Sequence, residues 1–370
     1  MSLILDSLEI KNFRAFKHLR IEKLGRVNLI VGKNNVGKSS VLEALWLYAS
    51  GTDPAVVWSI LSSRDENGTS LSPIPSTEKE RVNAARALFH GRKSLEEVRE
   101  VVQVGPYQPG PQNKTFSIYV SEFAPSDENY EEVKSRPEFD GLEPLWITDL
   151  ALFAKTGSGR IYDYPLNPDE PRVKRYKTDY KNQHFVYIPA SGLTALQISN
   201  FWDAIALTSL EDDVLSAISL LDADIERIGM VGSNDSFTRR YAIVKVRQSS
   251  DPFPFRSMGE GMNRMFGIAL ALVNAKDGML LIDEVDTGLH YSVLPDLWRL
   301  IFEVAHRLNV QVFATSHSWD CIQAFQQAAD ANTEEEGMLV RLEHRDGDVV
   351  PVMFDERKLN IAAREQIEVR

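Results

Sequence analysis

Three short stretches carry residues whose types and spacing suit the chemistry of a nucleoside triphosphate. In "VGKNNVGKSS", residues 31–40, Gly32, Gly37, Lys38 and Ser39 follow the order G-x-x-x-x-G-K-[ST], after the apolar run "VNLIV" and before a helical pattern. Glycines let successive backbone N–H groups converge on phosphate oxygens, and a helix N-terminus adds partial positive charge. Lys38 would reach the β- and γ-phosphates of ATP and Ser39 would ligate Mg²⁺, with Asn34, Asn35 and Ser40 completing the nucleotide-binding loop.

The second stretch, "GMLLIDEVD", is an apolar strand ending in Asp283 and Glu284. A carboxylate at the carboxyl end of a parallel strand next to the phosphate-loop strand is placed to hold the Mg²⁺ water shell, which assigns Asp283 as the metal-side acid. Glu284 can then orient and deprotonate the attacking water. The third, "VQVFATSHS", is another apolar strand, ending in hydroxyl residues and His317, where the imidazole could bond the γ-phosphate or that water. Singly, two acids ending a strand or one histidine are ordinary structural features. Three strand ends offering a phosphate loop, two carboxylates and an imidazole point to one site.

The elements that must position these residues are legible in outline. "SLEIKNF" and "KHLRIE" read as short outer strands and "VNLIV" as a buried one, while Val41, Leu42, Leu45 and Tyr48 recur at helical spacing up to a stop near Gly51. From about 52 to 189 the texture changes to scattered Pro, Gly and Ser with an acidic patch at 127–132, short strand candidates such as "TFSIYV", and a hairpin candidate in "KTGSGRIYDYPL" with its turn at 157–159. This predicts an inserted α/β lobe, with no internal repeat and no sustained heptads. Over 203–228, Leu210, Val214, Ile218, Leu221, Ile225 and Ile228 form a stripe that predicts one core-facing helix, a dimerising coiled coil being the alternative. The strand candidate "RYAIVKV" then leads to "FRSMGEGMNRMFGIALALV", in which a Gly-punctuated loop opens another helix.

With 370 residues, 43% hydrophobic and 25% charged, the composition is that of a globular chain with room for one large core or two domains, which excludes disordered and fibrous classes. A formal charge of −12 confines any nucleic-acid contact to a local patch. Two basic stretches with interleaved aromatics, residues 11–20 and 171–181, suit phosphate contacts with base stacking. The competing reading is a solvated strand face with aromatics buried behind it. The single cysteine, Cys321, cannot form an intramolecular disulfide, and no Cys/His spacing suits zinc, so a cytoplasmic protein is expected. The first residues lack a basic n-region and the run "GIALALV" is too short to span a bilayer, so neither secretion nor membrane insertion is expected.

Taken in order, "SLEIKNFRAFKHLRI", "GKNNVGKSS", "SMGEG", "LLIDEVDTGLH" and "ATSHS" resemble the N-terminal strands, Walker A, signature, Walker B with D-loop, and switch histidine of ABC-type ATPases. Within that superfamily they are similar to the soluble branch of RecF, SMC proteins and the OLD (overcoming lysogenisation defect) nucleases. The resemblance covers roughly residues 1–50 and 190–330. It implies that Ser257 and Gly259 with Glu260 cap the γ-phosphate of ATP held by a second subunit, and that Asp286, with His290 a less certain member, belongs to a D-loop crossing the dimer interface. It gives Arg14 a place near the nucleotide or DNA. The glutamine that completes the Mg²⁺ shell in the family has three candidates here, Gln112, Gln183 and Gln197. SMC-like arms are absent, and the 53 residues after His317 are too few for a TOPRIM nuclease domain.

The expectation is therefore an α/β, P-loop ABC-type ATPase head with an inserted α/β lobe: head over 1–51, lobe over 52–189, and head again over 190–370. It would bind ATP and Mg²⁺, form a homodimer through an ATP sandwich, and control a separately encoded effector, a nuclease in phage defence, with DNA as a trigger. The alternatives are a DNA-repair clamp acting directly on nucleic acid and an ATP-locked scaffold with little turnover. A transporter subunit lacks an evident membrane partner, and a small-molecule kinase leaves "SMGEG" unexplained.

Overall fold

The structure, a computed structural model, describes residues 3–51, 54–66, 77–95, 100–108, 115–124, 131–132, 149–155, 161–166, 184–233, 236–247, 249–331 and 337–354. In chain order these form β1 (Leu8–Phe13), β2 (Phe16–Ile21), β3 (Val27–Gly32), α1 (Lys38–Ser50), α2 (Pro54–Ser62), α3 (Glu78–Arg86), β4 (Val102–Gly105), β5 (Phe116–Ala124), β6 (Glu131–Glu132), β7 (Asp149–Lys155), β8 (Ile161–Pro165) and β9 (Phe185–Ile188). There follow α4 (Ala195–Ile205), α5 (Ser209–Ser219), β10 (Ile225–Ser233), β11 (Ser236–Val246), β12 (Phe253–Pro254), α6 (Glu260–Asn274), β13 (Met279–Ile282), α7 (Leu294–Arg307), β14 (Gln311–Thr315), α8 (Trp319–Ala331), β15 (Gly337–Arg345) and β16 (Asp348–Phe354).

The central sheet has the order β16-β15-β3-β14-β13-β9, parallel throughout except that β16 runs antiparallel to β15. Strands β3, β13 and β14 are buried along their whole length, which explains why they read as continuous apolar runs. Their side chains alternate between two cores. Leu29, Leu280, Ile282, Val312 and Ala314 pack with α6, α7 and α8, whereas Ile30, Met279, Leu281 and Phe313 pack with α1 and the first strands. Gln311, fully buried at the start of β14, ties the chain's beginning to this sheet: its Oε1 accepts from the N–H groups of Ile4 and Leu5, and its Nε2 donates to the carbonyls of Leu5 and Gly25.

A second sheet, of order β2-β1-β4-β5-β7-β8 with β6 beside β5, is antiparallel, and the segment after α1 thus continues the sheet that β1 and β2 begin. The hairpin expected from residue 155 onward is present as β7 and β8, with Lys155 opposite Ile161; its turn at 157–159 lies outside the described residues. So does most of the acidic patch at 127–132 and the whole basic stretch at 171–181.

Two expectations are corrected. The stripe over 203–228 is not one helix. Val214 and Ile218 are buried on α5, but the helix ends at Ser219 and Ile225 and Ile228 belong to strand β10. The break falls where Asp222 Oδ1 accepts from the N–H of Asp224, a local side-chain turn that competes with helix continuation. The carboxylate strand is also not next to the phosphate-loop strand, because β14 lies between β3 and β13.

Candidate nucleotide site

The carboxyl ends of β3, β14, β13 and β9 converge on a cavity of about 990 Å³, lined by the phosphate loop, Asp283, Glu284 and the 189–191 turn. The phosphate loop is shaped by two glycines that nothing else could replace. Gly32 has φ +142°, and a Cβ there would lie 2.6 Å from the Leu342 carbonyl oxygen on β15. Gly37, at φ +101°, would press its Cβ to 2.8 Å from the Phe16 ring. Asn35 takes the left-handed conformation at φ +64°, which Asn tolerates better than most residues. Helix α1 then opens with no side-chain cap and no acid in its first turn, so its N–H groups point at the cavity without a resident anion.

Lys38 Nζ folds back over the loop and donates to the carbonyls of Gly32 at 2.8 Å and Lys33 at 3.1 Å. Burial pushes its pKa down, against the pull of Glu284 and Asp283. The Lys38→Ala chain is expected to bind ATP at least about tenfold more weakly, because a charge-assisted phosphate contact is lost, with an unchanged circular dichroism spectrum. Isothermal titration with ATP beside a thermal melt checks this; loss of folded signal would mean the lysine is a structural strut of the loop instead.

Hydrogen bonds link the loop to the two neighbouring strands. Ser39 Oγ donates to Asp283 Oδ1 at 3.2 Å, and Thr315 Oγ1 donates to the same oxygen at 2.6 Å while accepting from the Glu284 N–H at 2.8 Å. Glu284 sits at φ +44°, a left-handed conformation costing a non-glycine residue about 1 kcal/mol or more. Thr287 Oγ1 donates to its Oε2 at 3.1 Å. His317 Nδ1 stands 3.7 Å from Glu284 Oε1, close enough to share a small bound molecule but not hydrogen-bonded. Thr315 escaped the sequence reading, although its place as the last residue of β14, before "SHS", marked it.

At the other end of the cavity, guanidinium and carboxylate groups alternate. Arg14 Nε lies 2.7 Å from Glu43 Oε2 and its Nη1 2.8 Å from Glu66 Oε2; Arg64 pairs with Glu43 and Arg92 with Glu66. Burial pushes the Glu43 carboxyl up despite the attraction of Arg14 and Arg64. Arg14 Nη2 is buried with no hydrogen-bond partner, and Arg14, Glu43, Arg64 and Arg92 all line the cavity. Most of the rest of the first basic stretch is engaged within the protein, Lys17 being exposed: Lys11 and His18 pair with Glu9, and Arg20 pairs with Glu22 and lies over the Tyr107 ring. Phe13 and Phe16 are buried, which favours the solvated-face reading of that stretch over a nucleic-acid patch.

The signature residues are not brought to this cavity. Ser257, Gly259 and Glu260 are exposed, on the 3-10 turn 255–258 and the first positions of α6, outside the cavity lining of their own chain. Asp286 is half-buried with its Oδ1 unpaired, and His290 caps the turn after it through Ser292. Of the three glutamines, Gln112 and Gln183 lie outside the described residues, and Gln197 is held in a capping box by Thr194. The strand end beside Asp283 instead carries Pro189, Ala190 and Ser191, which line the cavity.

The residues present fit Mg²⁺ with a triphosphate. Among the described residues no three His, Cys, Asp or Glu side chains gather as a metal cage, and a cation held by Ser39, Asp283, phosphates and water is what Mg²⁺ prefers. No helix among the described residues is long and apolar enough to cross a membrane.

The chain is similar to several known proteins. An "ATP/GTP phosphatase" of Helicobacter pylori is 24% identical over 348 residues, 88% of each chain. The RecF DNA replication and repair protein of Clostridioides difficile is 45% identical over only 47 residues, 13% of each chain. Among solved structures, an SMC head bound to the C-winged helix domain of ScpA superposes with a TM-score of 0.48 and 13% identity, covering 96% of this chain and 99% of that one. The model of the AAA_21 family, described as "AAA domain, putative AbiEii toxin, Type IV TA system", matches residues 27–320. With a phosphate loop, a carboxylate pair at the end of β13 and this match over most of its length, the chain belongs to the AAA_21 family and is an ATPase.

Proposed function

We propose that the chain hydrolyses Mg·ATP at a composite site shared by two copies of itself, and that this cycle controls a second protein. The observation that carries the reading is the split between two sets of residues. The phosphate loop, Asp283, Thr315, Glu284 and His317 are hydrogen-bonded or adjacent, while the signature turn at Ser257 and Gly259 faces solvent away from them. A helix start with no side-chain cap, exposed on one copy and carrying Glu260 as its first residue, offers backbone N–H groups to a triphosphate held by another.

In this reading the backbone of Gly32–Ser40, Lys38 and Ser40 grip the phosphates, and Ser39 and Asp283 would hold Mg²⁺, which when bound neutralises charge on the β- and γ-phosphates. Glu284 accepts a proton from water as the water oxygen bonds the γ-phosphorus. The bond from that phosphorus to the β–γ bridging oxygen breaks, releasing ADP and phosphate. His317, 3.7 Å from the Glu284 carboxylate, donates to the γ-phosphate oxygens or steers the water. The loop that carries Asp286 lies across the interface with the partner copy. We also propose the division into a head over 1–51 and 190–370 and a lobe over 52–189, with β9 at the lobe's end returning to the central sheet and β1 and β2 of the head opening the lobe's sheet; the lobe is a natural contact for the controlled protein. The family description names an AbiEii toxin and a type IV toxin–antitoxin system, a two-component setting that supports an ATPase working with a second protein.

The test is the state of association. With saturating Mg²⁺ and a non-hydrolysable ATP analogue, sedimentation should convert monomer to dimer, and omission of nucleotide should reverse it. A chain that stays monomeric when the analogue is bound would remove the sandwich from this account.

A further inference from the structure

Arg264 lies one turn into α6, the helix that begins at the signature glycine, yet its side chain points back to the hydrolytic loops. Its Nη2 reaches the carbonyl oxygens of Glu284 at 3.2 Å and Asp283 at 3.4 Å, and its Nη1 reaches that of Pro189 at 3.5 Å. The three carbonyls belong to the ends of the two parallel strands β13 and β9. A planar guanidinium can bridge such a set, whereas an ammonium can meet it at one point only. Burial pushes the Arg264 pKa down, opposed by Asp286, Asp283 and Glu284, so the cation is held in a desolvated place by the acids around it. Its Nε and the Asp286 Oδ1 are both buried and unpaired.

Two further features of the backbone concern the same side chain. Glu284 is left-handed, a conformation that needs outside support, and its N–H is held by Thr315 while its carbonyl is held by Arg264. Gly192, at φ +82°, closes the turn after Pro189, and a Cβ there would fall 2.8 Å from Arg264 Nη1. The turn is thus shaped around the guanidinium.

We propose that Arg264 is a positioning residue for hydrolysis: from the signature helix it clamps the Glu284 turn and the 189–192 turn, so that one side chain sets both the direction of the Glu284 carboxylate and its registry with the signature. This rests on Glu284 being the base. Arg264 touches neither the phosphate loop nor Lys38, so nucleotide binding does not depend on it, while kcat does, since displacement of a base by about 1 Å costs on the order of 100-fold.

The experiment is a double-mutant cycle on the full chain, read as kcat and KM for ATP with thermal midpoints alongside. Arg264→Met should lower kcat by about 100-fold with KM within about threefold of the natural chain. Arg264→Lys, which keeps charge and reach but one bonding point, should recover part of that loss. Gly192→Ala should lower kcat by pushing the guanidinium off its carbonyls; in the Arg264→Met background the strain of alanine at φ +82° still lowers the thermal midpoint, but little further loss of kcat is expected, a coupling that a generally weakened fold would not produce. If Arg264→Met does not fold, the Lys variant alone and combined with Gly192→Ala completes the cycle. A kcat within about twofold of normal for Arg264→Met, a loss carried by KM, or additive effects at 192 and 264 would each overturn the proposal. Full turnover in a Glu284→Gln chain would remove the base assignment and the Arg264 proposal with it, whereas lost turnover in Glu284→Gln beside normal kcat in Arg264→Met would overturn the Arg264 role alone.

Discussion

Glu284→Gln should bind ATP as the natural chain does and lose turnover by about two orders of magnitude or more, the usual scale for removing a general base. The amide keeps the length of the side chain and can still accept from Thr287 Oγ1, which bonds the carboxylate at 3.1 Å. The left-handed turn at φ +44° is equally costly for either residue, and its Thr315 bond is made by the backbone N–H, so the loop has no reason to move. What changes is basicity alone. Phosphate release under saturating ATP gives the turnover, and a fluorescent ATP analogue gives the affinity. In the proposed cycle the ATP-bound dimer also persists, because the step that separates it is blocked. Turnover at the natural rate would show that water is activated by another group, and His317, 3.7 Å from the same carboxylate, would be the next to test.

Ser257→Arg addresses the composite site. Ser257 is exposed and lies outside the cavity of its own chain, so an arginine there leaves the phosphate loop, Asp283 and Glu284 as they are. If Ser257 instead meets a phosphate on a second copy, the larger side chain abolishes turnover by keeping the two copies apart. Mixing then discriminates. A dimer of one Lys38→Ala chain with one Ser257→Arg chain has one composite site with both lesions and one with neither, so two inactive proteins recreate a working site. Random pairing of equal amounts makes about half the dimers mixed, so roughly a quarter of the natural sites should return, fewer if both must fire together. Normal hydrolysis by Ser257→Arg alone would mean that the signature residues take no part, and a single-chain nucleotide site would replace the sandwich.

The cluster at the closed end of the cavity shows how differently local and distant features are encoded. Arg14 is one of several basic residues in a stretch that, as sequence, offers a nucleic-acid patch as the competing reading to a solvated strand face. In the fold it meets Glu43 from α1 and Glu66 from the turn after α2, which come 29 and 52 residues later in the chain. No spacing rule connects them. Thr315 and Arg264 belong to the same class, each made relevant by a hydrogen bond to Asp283 or Glu284 across 20 to 32 positions.

What the amino-acid sequence determined by itself is the chemistry that is complete within about ten residues. A run of apolar side chains makes a buried strand, two glycines allow the backbone angles of the phosphate loop, and the helix that follows has free N–H groups whatever surrounds it. The same holds for the strands ending in Asp283 and before His317. Tertiary structure decided everything that depends on which strand lies beside which. The insertion of β14 between β3 and β13 places Thr315 as the link from Asp283 to Glu284, and the parallel pairing of β9 with β13 puts Ser191 rather than a glutamine beside the acids. It also divided the stripe over 203–228 into α5 and β10, since the apolar spacing suits a helix but the pairing of β10 with β11 claims Ile225 and Ile228 for a sheet. Apolar periodicity specifies a face to be buried; the partner that buries it is chosen by the packing of the whole chain.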